Sequence, residues 1–131
     1  MKLKDFEGIK KEISPIMKES GVHSILLYGS HVKNKSHKKS DIDICVVAPK
    51  LKNAKQFSAL LRKIWGKIDT DKYDVRLFEE LPLYIKITVI NSHKVLFSKN
   101  KAELEQYLYH CRKIWQDQSI NWLEKKYLLN P

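Results

Sequence analysis

Five residues have types and spacing that could do chemistry. Gly29 and Ser30 close an apolar run, Val22 to Tyr28 (VHSILLY). Ten residues later Asp41-Ile42-Asp43 opens a second apolar run, DIDICVVA, and Asp74 lies within a third, YDVRLF. In a strand, residues two apart share a face, so Asp41 and Asp43 would project side by side. Adjacent carboxylates repel each other unless a cation bridges them. Oxygen ligands suit Mg²⁺, which takes one or two carboxylates and completes its shell with water and substrate phosphate. A glycine at a strand end lets backbone approach a phosphate, and the Ser30 hydroxyl adds a donor. A third carboxylate is what a two-metal site usually requires. Asp74 is the best candidate, because a charge within a β-pattern is otherwise expensive. Asp69, Asp71, Glu79 and Glu80 compete from the flanking turns.

These residues need elements to hold them. Lys4 to Glu19 carries apolar residues at helical spacing, with Pro15 bending or breaking the helix near Ser14 and Gly21 as its C-cap. Lys50 to Lys67 is a second helix, with Phe57, Leu60, Leu61, Ile64 and Trp65 on one stripe. Leu81 to Ile90 is ambiguous: its alternating Leu83, Ile85, Ile87 and Val89 favour a strand, whereas Pro82 would suit a first helical turn. Lys94 to Phe97 is a short strand. Ala102 to about Tyr127 is a long helix with a stripe at Leu104, Leu108, Cys111, Trp115 and Trp122, and Tyr107, Tyr109 and Tyr127 around it, mostly core. Strands alternating with helices make an α/β sheet domain.

Composition sets the bounds. The chain has 131 residues, which suits one domain, and 43% of them are apolar, enough for a core. Lys plus Arg number 25 against 15 Asp plus Glu, a net charge of +10, so anionic partners are expected. Cys45 and Cys111 are too few for a disulfide scaffold and read as small buried residues. The start, MKLKDFEGIKKE, is charged throughout, and no apolar stretch nears the ~20 residues of a membrane helix, so a cytoplasmic protein with no membrane contact is expected.

Residues Gly29, Ser30, Asp41, Asp43 and Asp74 together resemble the signature of the DNA polymerase β-like nucleotidyltransferases. More narrowly, the chain resembles the minimal nucleotidyltransferases of prokaryotes, the MntA-type partners of HEPN proteins. The likeness extends through FEELPLYIKITVINSHKVLFSKN, residues 78–100, and covers about residues 20–115. It implies a nucleotidyltransferase fold, a small mixed β-sheet flanked by helices, with a helix over 82–91. The whole of 1–131 would be one minimal domain. Asp41 and Asp43 would bind two Mg²⁺ ions, with Asp74 completing one site and helping to deprotonate the attacking hydroxyl. Gly29 and Ser30 would hold the triphosphate of ATP. AMP would go to a hydroxyl, a tyrosine of a HEPN toxin, so that the chain acts as antitoxin. One departure is Asn34, where many members have a second glycine.

The basic segment His31 to Ser40, with Lys33, Lys35, Lys38 and Lys39, could steer ATP or grip an acidic partner. His31 and His37 lack a third His or Cys to join them at a metal. Trp122 and the YLLNP end would suit a homo-oligomer or a HEPN partner. Two rival readings stand beside the enzyme. One is a non-catalytic antitoxin that neutralises its partner by contact. The other is an RNA-directed nucleotidyltransferase, motivated by the charge but with no RRM, KH or zinc-finger pattern to support it.

Overall fold

A computed structural model describes residues 3–29 and 41–123, the side chains of 3, 4 and 119–123 aside. Ser30, the basic segment through Ser40, the Trp122 side chain and the end of the expected last helix lie outside the described residues.

Four strands form a mixed sheet. β1 (Ser24–Tyr28) is antiparallel to β2 (Ile42–Val47) and to β4 (His93–Ser98), and β2 is parallel to β3 (Tyr73–Leu77). The order is β3-β2-β1-β4, so the two apolar runs that flank the chemistry become the central pair. Both faces are covered. Ile25, Leu27, Ile44, Val46, Val75 and Leu96 pack with Ile9 and Ile13 of α1 (Leu3–Ile13) and Leu60 and Ile64 of α2 (Ala54–Trp65). Leu26, Cys45 and Val47 pack with Val89 and Ile90 of α3 (Leu83–Asn91) and Leu104 and Leu108 of α4 (Lys101–Leu123). A strand buried on both sides reads as continuously apolar, and from Ile44 onward β2 is fully buried.

The local chemistry explains most boundaries. Pro15 sits in the first turn of a 3-10 segment, Ser14–Lys18, where α1 ends. The cap of that segment is Glu19, whose N–H bonds the Ile16 carbonyl at 3.0 Å. Gly21 is therefore not the expected C-cap: it lies in the turn before β1 at φ +93°, a region that costs other residues strain. Asn53 caps α2, its Oδ1 accepting the Gln56 N–H at 2.9 Å while Gln56 Oε1 accepts the Lys52 N–H at 2.7 Å.

Residues 83–91 are a helix, as the family resemblance implies and alternation alone did not. The Pro82 carbonyl accepts the N–H groups of Ile85 and Lys86 at 3.0 Å. Val89 and Ile90 of this helix are buried, and Ile85 and Ile87 are partly buried, in the layer that joins the sheet to α4, a packing that overrides their strand propensity. On α4, Leu104 and Leu108 are buried, but Cys111 and Trp115 are half-buried, and Tyr109 is 65% exposed rather than core. Tyr107 meets buried Phe78 edge to face at 5.8 Å between centroids.

The Glu79 carboxylate ties these layers together at the C-terminal end of β2. It accepts the Ala48 N–H at 2.9 Å and the Tyr107 hydroxyl at 2.9 Å. Burial holds its pKa above the usual carboxylate value, against the pull of those two donors. Between the unfolded and the folded pKa the native state binds more protons, so this group's contribution to stability declines as pH rises through that window. Urea midpoints followed from about pH 4 to neutrality should fall further, or rise less, in wild type than in Glu79→Gln.

Candidate active site

Chemistry can gather only where β2 leaves the core. Its N-terminal end is that place: Asp41 is exposed, Asp43 half-buried, and everything from Ile44 to Ala48 buried. Period-2 alternation puts Asp41 and Asp43 on the face covered further along by α3 and α4. The parallel register places Asp74 of β3 directly beside Asp43. The three expected carboxylates therefore share one face and one end of the sheet. Asp74 is 38% exposed at its side chain, and its Oδ2 lies 3.5 Å from Nε of Arg76, two residues along the same face. Phe78 begins a 3-10 turn after β3 and is buried in the layer that α3 and α4 form on that side of the sheet.

Two of the competing acids, Asp69 and Glu79, are engaged elsewhere. Asp69 closes the turn before β3, its carboxylate accepting the Asp71 N–H at 2.9 Å and its carbonyl those of Lys72 and Tyr73. Glu79 is engaged at the far end of β2, as described above.

Gly29 follows β1 and lies beside Asp43, whose strand partner is Tyr28. It has φ +81°, and a Cβ built there would collide with Asp43 Oδ2 and stand 3.1 Å from its Cγ. Two constraints therefore select glycine at this position: the left-handed backbone and the carboxylate against it. Only a bare backbone leaves that space.

Tyr28 is a site neighbour that the sequence reading passed over. Burial first, and the acidic groups of Cys45, Asp43 and Asp74 after it, push its phenol pKa up, while Arg76 opposes them. The phenol is thus a neutral hydrogen-bonding group beside the carboxylates at any physiological pH. The sequence carried little signal for it, since the type of an apolar run's last residue does not reveal its antiparallel pairing with Asp43.

Among the described residues, no three His, Cys, Asp or Glu side chains close on a single point to hold a metal. The donor set is nonetheless all oxygen and strand-mounted, and Mg²⁺ completes such partial sites with substrate phosphate rather than with a protein cage. The carboxylates fit that kind of ion, shared with a substrate. Beside them, at the open edge of β3, runs a groove of about 470 Å³ lined by Asp41, Trp65, Thr70, Tyr73, Asp74 and Val75.

If the close fit at Gly29 matters to the fold, Gly29→Ala should lower stability by about 1–2 kcal/mol for the left-handed backbone alone, read from denaturant midpoints. Gly8→Ala, where an added methyl meets nothing within 4 Å, should change stability little or raise it by about 0.5–1 kcal/mol as an exposed helix position.

Comparison with known proteins gives a consistent picture. The family model described as "Polymerase beta, Nucleotidyltransferase" matches residues 11–102. A Methanocaldococcus jannaschii protein named "Putative protein adenylyltransferase" is 47% identical over 98 residues, covering 75% of this chain and 73% of its own. Among solved structures, a chain of a toxin–antitoxin complex with AMP-PNP superposes with TM-score 0.66 at 19% identity, covering 86% of this chain and 90% of that one. A chain of the complex of tri-AMPylated Shewanella oneidensis HEPN toxin with MNT antitoxin gives TM-score 0.61 at 18% identity, with 92% of each chain covered. These two show likeness of fold. No described helix is long and apolar enough to cross a membrane.

Proposed function

The chain belongs to the polymerase β nucleotidyltransferase family, and from that premise we propose that it transfers AMP from ATP to a tyrosine hydroxyl of a HEPN toxin and so acts as its antitoxin. The observation that carries the chemistry is the register of Asp43 with Asp74, with Asp41 on the same face. The target rests on resemblance: the M. jannaschii relative's name specifies protein adenylylation, and the S. oneidensis complex holds an AMPylated HEPN toxin beside its antitoxin.

In this reading Asp41, Asp43 and Asp74 hold two Mg²⁺ ions. When bound, the ions supply positive charge that offsets the charge developing on the attacking and leaving oxygens. The Gly29 backbone and the Ser30 hydroxyl bind the β- and γ-phosphates, and the absence of a side chain at Gly29 keeps that approach open. Asp74 orients the attacking hydroxyl and accepts its proton. The acceptor oxygen bonds to the α-phosphorus as the bridging bond to the β-phosphate breaks, and pyrophosphate leaves with that electron pair. Tyr28, neutral beside the carboxylates, stays a hydrogen-bonding neighbour rather than a base.

Label transfer from α-³²P-ATP to a co-expressed HEPN partner is the test. Asp41→Asn with Asp43→Asn should lower it at least about 1,000-fold, the rate equivalent of ~4 kcal/mol, and chelation of Mg²⁺ should abolish it. Wild type that transfers no label, or a double variant that transfers as well as wild type, sinks the proposal. A double variant that still neutralises the partner would favour the contact-only antitoxin.

A further inference from the structure

Resting on that reading, we infer that the groove at the open edge of β3 is the acceptor site, with Trp65 as the platform on which the acceptor tyrosine stacks. Three observations lead there. The first is order across the sheet. Gly29 lies beside β1, Asp43 is in β2, and Asp74 is in β3, so the three groups stand in a row. In-line displacement puts the attacking and leaving oxygens on opposite sides of the phosphorus. With the leaving phosphates at Gly29, the attacking hydroxyl must arrive from the β3 side.

The second observation is that the groove opens on that side. Asp41 and Asp74 line it together with Trp65, Thr70, Tyr73 and Val75. β3 is an edge strand, so nothing within the sheet closes its outer side. The third is Trp65 itself. It ends α2, which runs back from the far end of β2, so it is delivered to the same end of the sheet as the carboxylates. The indole is 48% exposed, although Leu60 and Ile64 of the same helix are buried. The core does not account for it. α2 packs on the face opposite the carboxylates, so the groove wraps the β3 edge, with Trp65 on one side and Asp41 and Asp74 on the other. A large aromatic surface left open there suits an aromatic ring whose hydroxyl is to be presented to them: the ring packs on the indole, and its oxygen reaches Asp74. The transfer is the one balanced above, with the phenol oxygen bonding to the α-phosphorus and its proton passing to Asp74.

The test uses the full chain labelled with fluorotryptophan, the Trp65 resonance being assigned by its loss in Trp65→Phe. N-acetyl-L-tyrosinamide should shift that resonance saturably, with Mg²⁺ and ATP present, and N-acetyl-L-leucinamide should not. In label transfer to a co-expressed HEPN partner, Trp65→Ala should raise KM for the acceptor about 2- to 12-fold, the range of aromatic pair contacts. Trp65→Phe should recover much of that loss, and calorimetric affinity for ATP with Mg²⁺ should not move in either variant. An unshifted Trp65, an equal response to leucinamide, or an ATP affinity that falls with Trp65→Ala overturns the assignment, the last by giving the groove to the nucleotide. Wild type that binds no ATP overturns the enzyme reading instead, separately from what Trp65 reports.

Discussion

The parallel register of β2 with β3 is the constraint on which the site depends. Asp43 pairs with Asp74, and a slip of one residue would turn Asp74 to the α1 and α2 side, among Ile44, Val46 and Ile64. There a carboxylate would be desolvated and unpaired, at a cost of several kcal/mol. The same slip would push Val75 and Leu77 out of the core. Hydrophobic burial and carboxylate placement thus select one register. The two apolar layers are what keep the charges together at the mouth of the sheet.

The sheet's order does further work. β1 and β2 are central and covered on both faces, so polar groups can appear only at their ends. Among the described residues, Asp41 is exposed and Gly29, Asp43 and Asp74 are half-buried at one end, while at the opposite end Glu79 joins Ala48 and Tyr107 by hydrogen bonds. At position 29 a side chain has no room, because the Asp43 carboxylate occupies the space it would need.

That arrangement also organises the proposed reaction. Nucleotide phosphates, metal-binding oxygens and acceptor fall on successive strands, which matches the geometry of a displacement at phosphorus. Arg76 Nε lies 3.5 Å from Asp74 Oδ2, so a positive side chain stands beside a carboxylate that we propose as a metal ligand. The large net positive charge is consistent with a nucleoside triphosphate substrate, and equally with other anions.

Much of this was legible in the residues. Gly-Ser, Asp-x-Asp and a strand aspartate mark the proposed site because each is costly or unusual where it stands, and the apolar runs around them locate the strands. Residues 82–91 were not legible from periodicity: β-branched residues alternate there as in a strand, and only packing against the sheet and α4 made them helical. Spacing along α4 likewise could not say that Tyr109 stays 65% exposed beside the buried Leu104 and Leu108. What the sequence by itself determined is which residues carry charge at strand ends, because short-range polarity and spacing are local properties. Only the tertiary structure decided that Asp74 lies beside Asp43, that Tyr28 joins them, and that Trp65 lines a groove with Asp41 and Asp74, because those neighbours are 9 to 46 residues apart in the chain and meet only through strand pairing and helix packing.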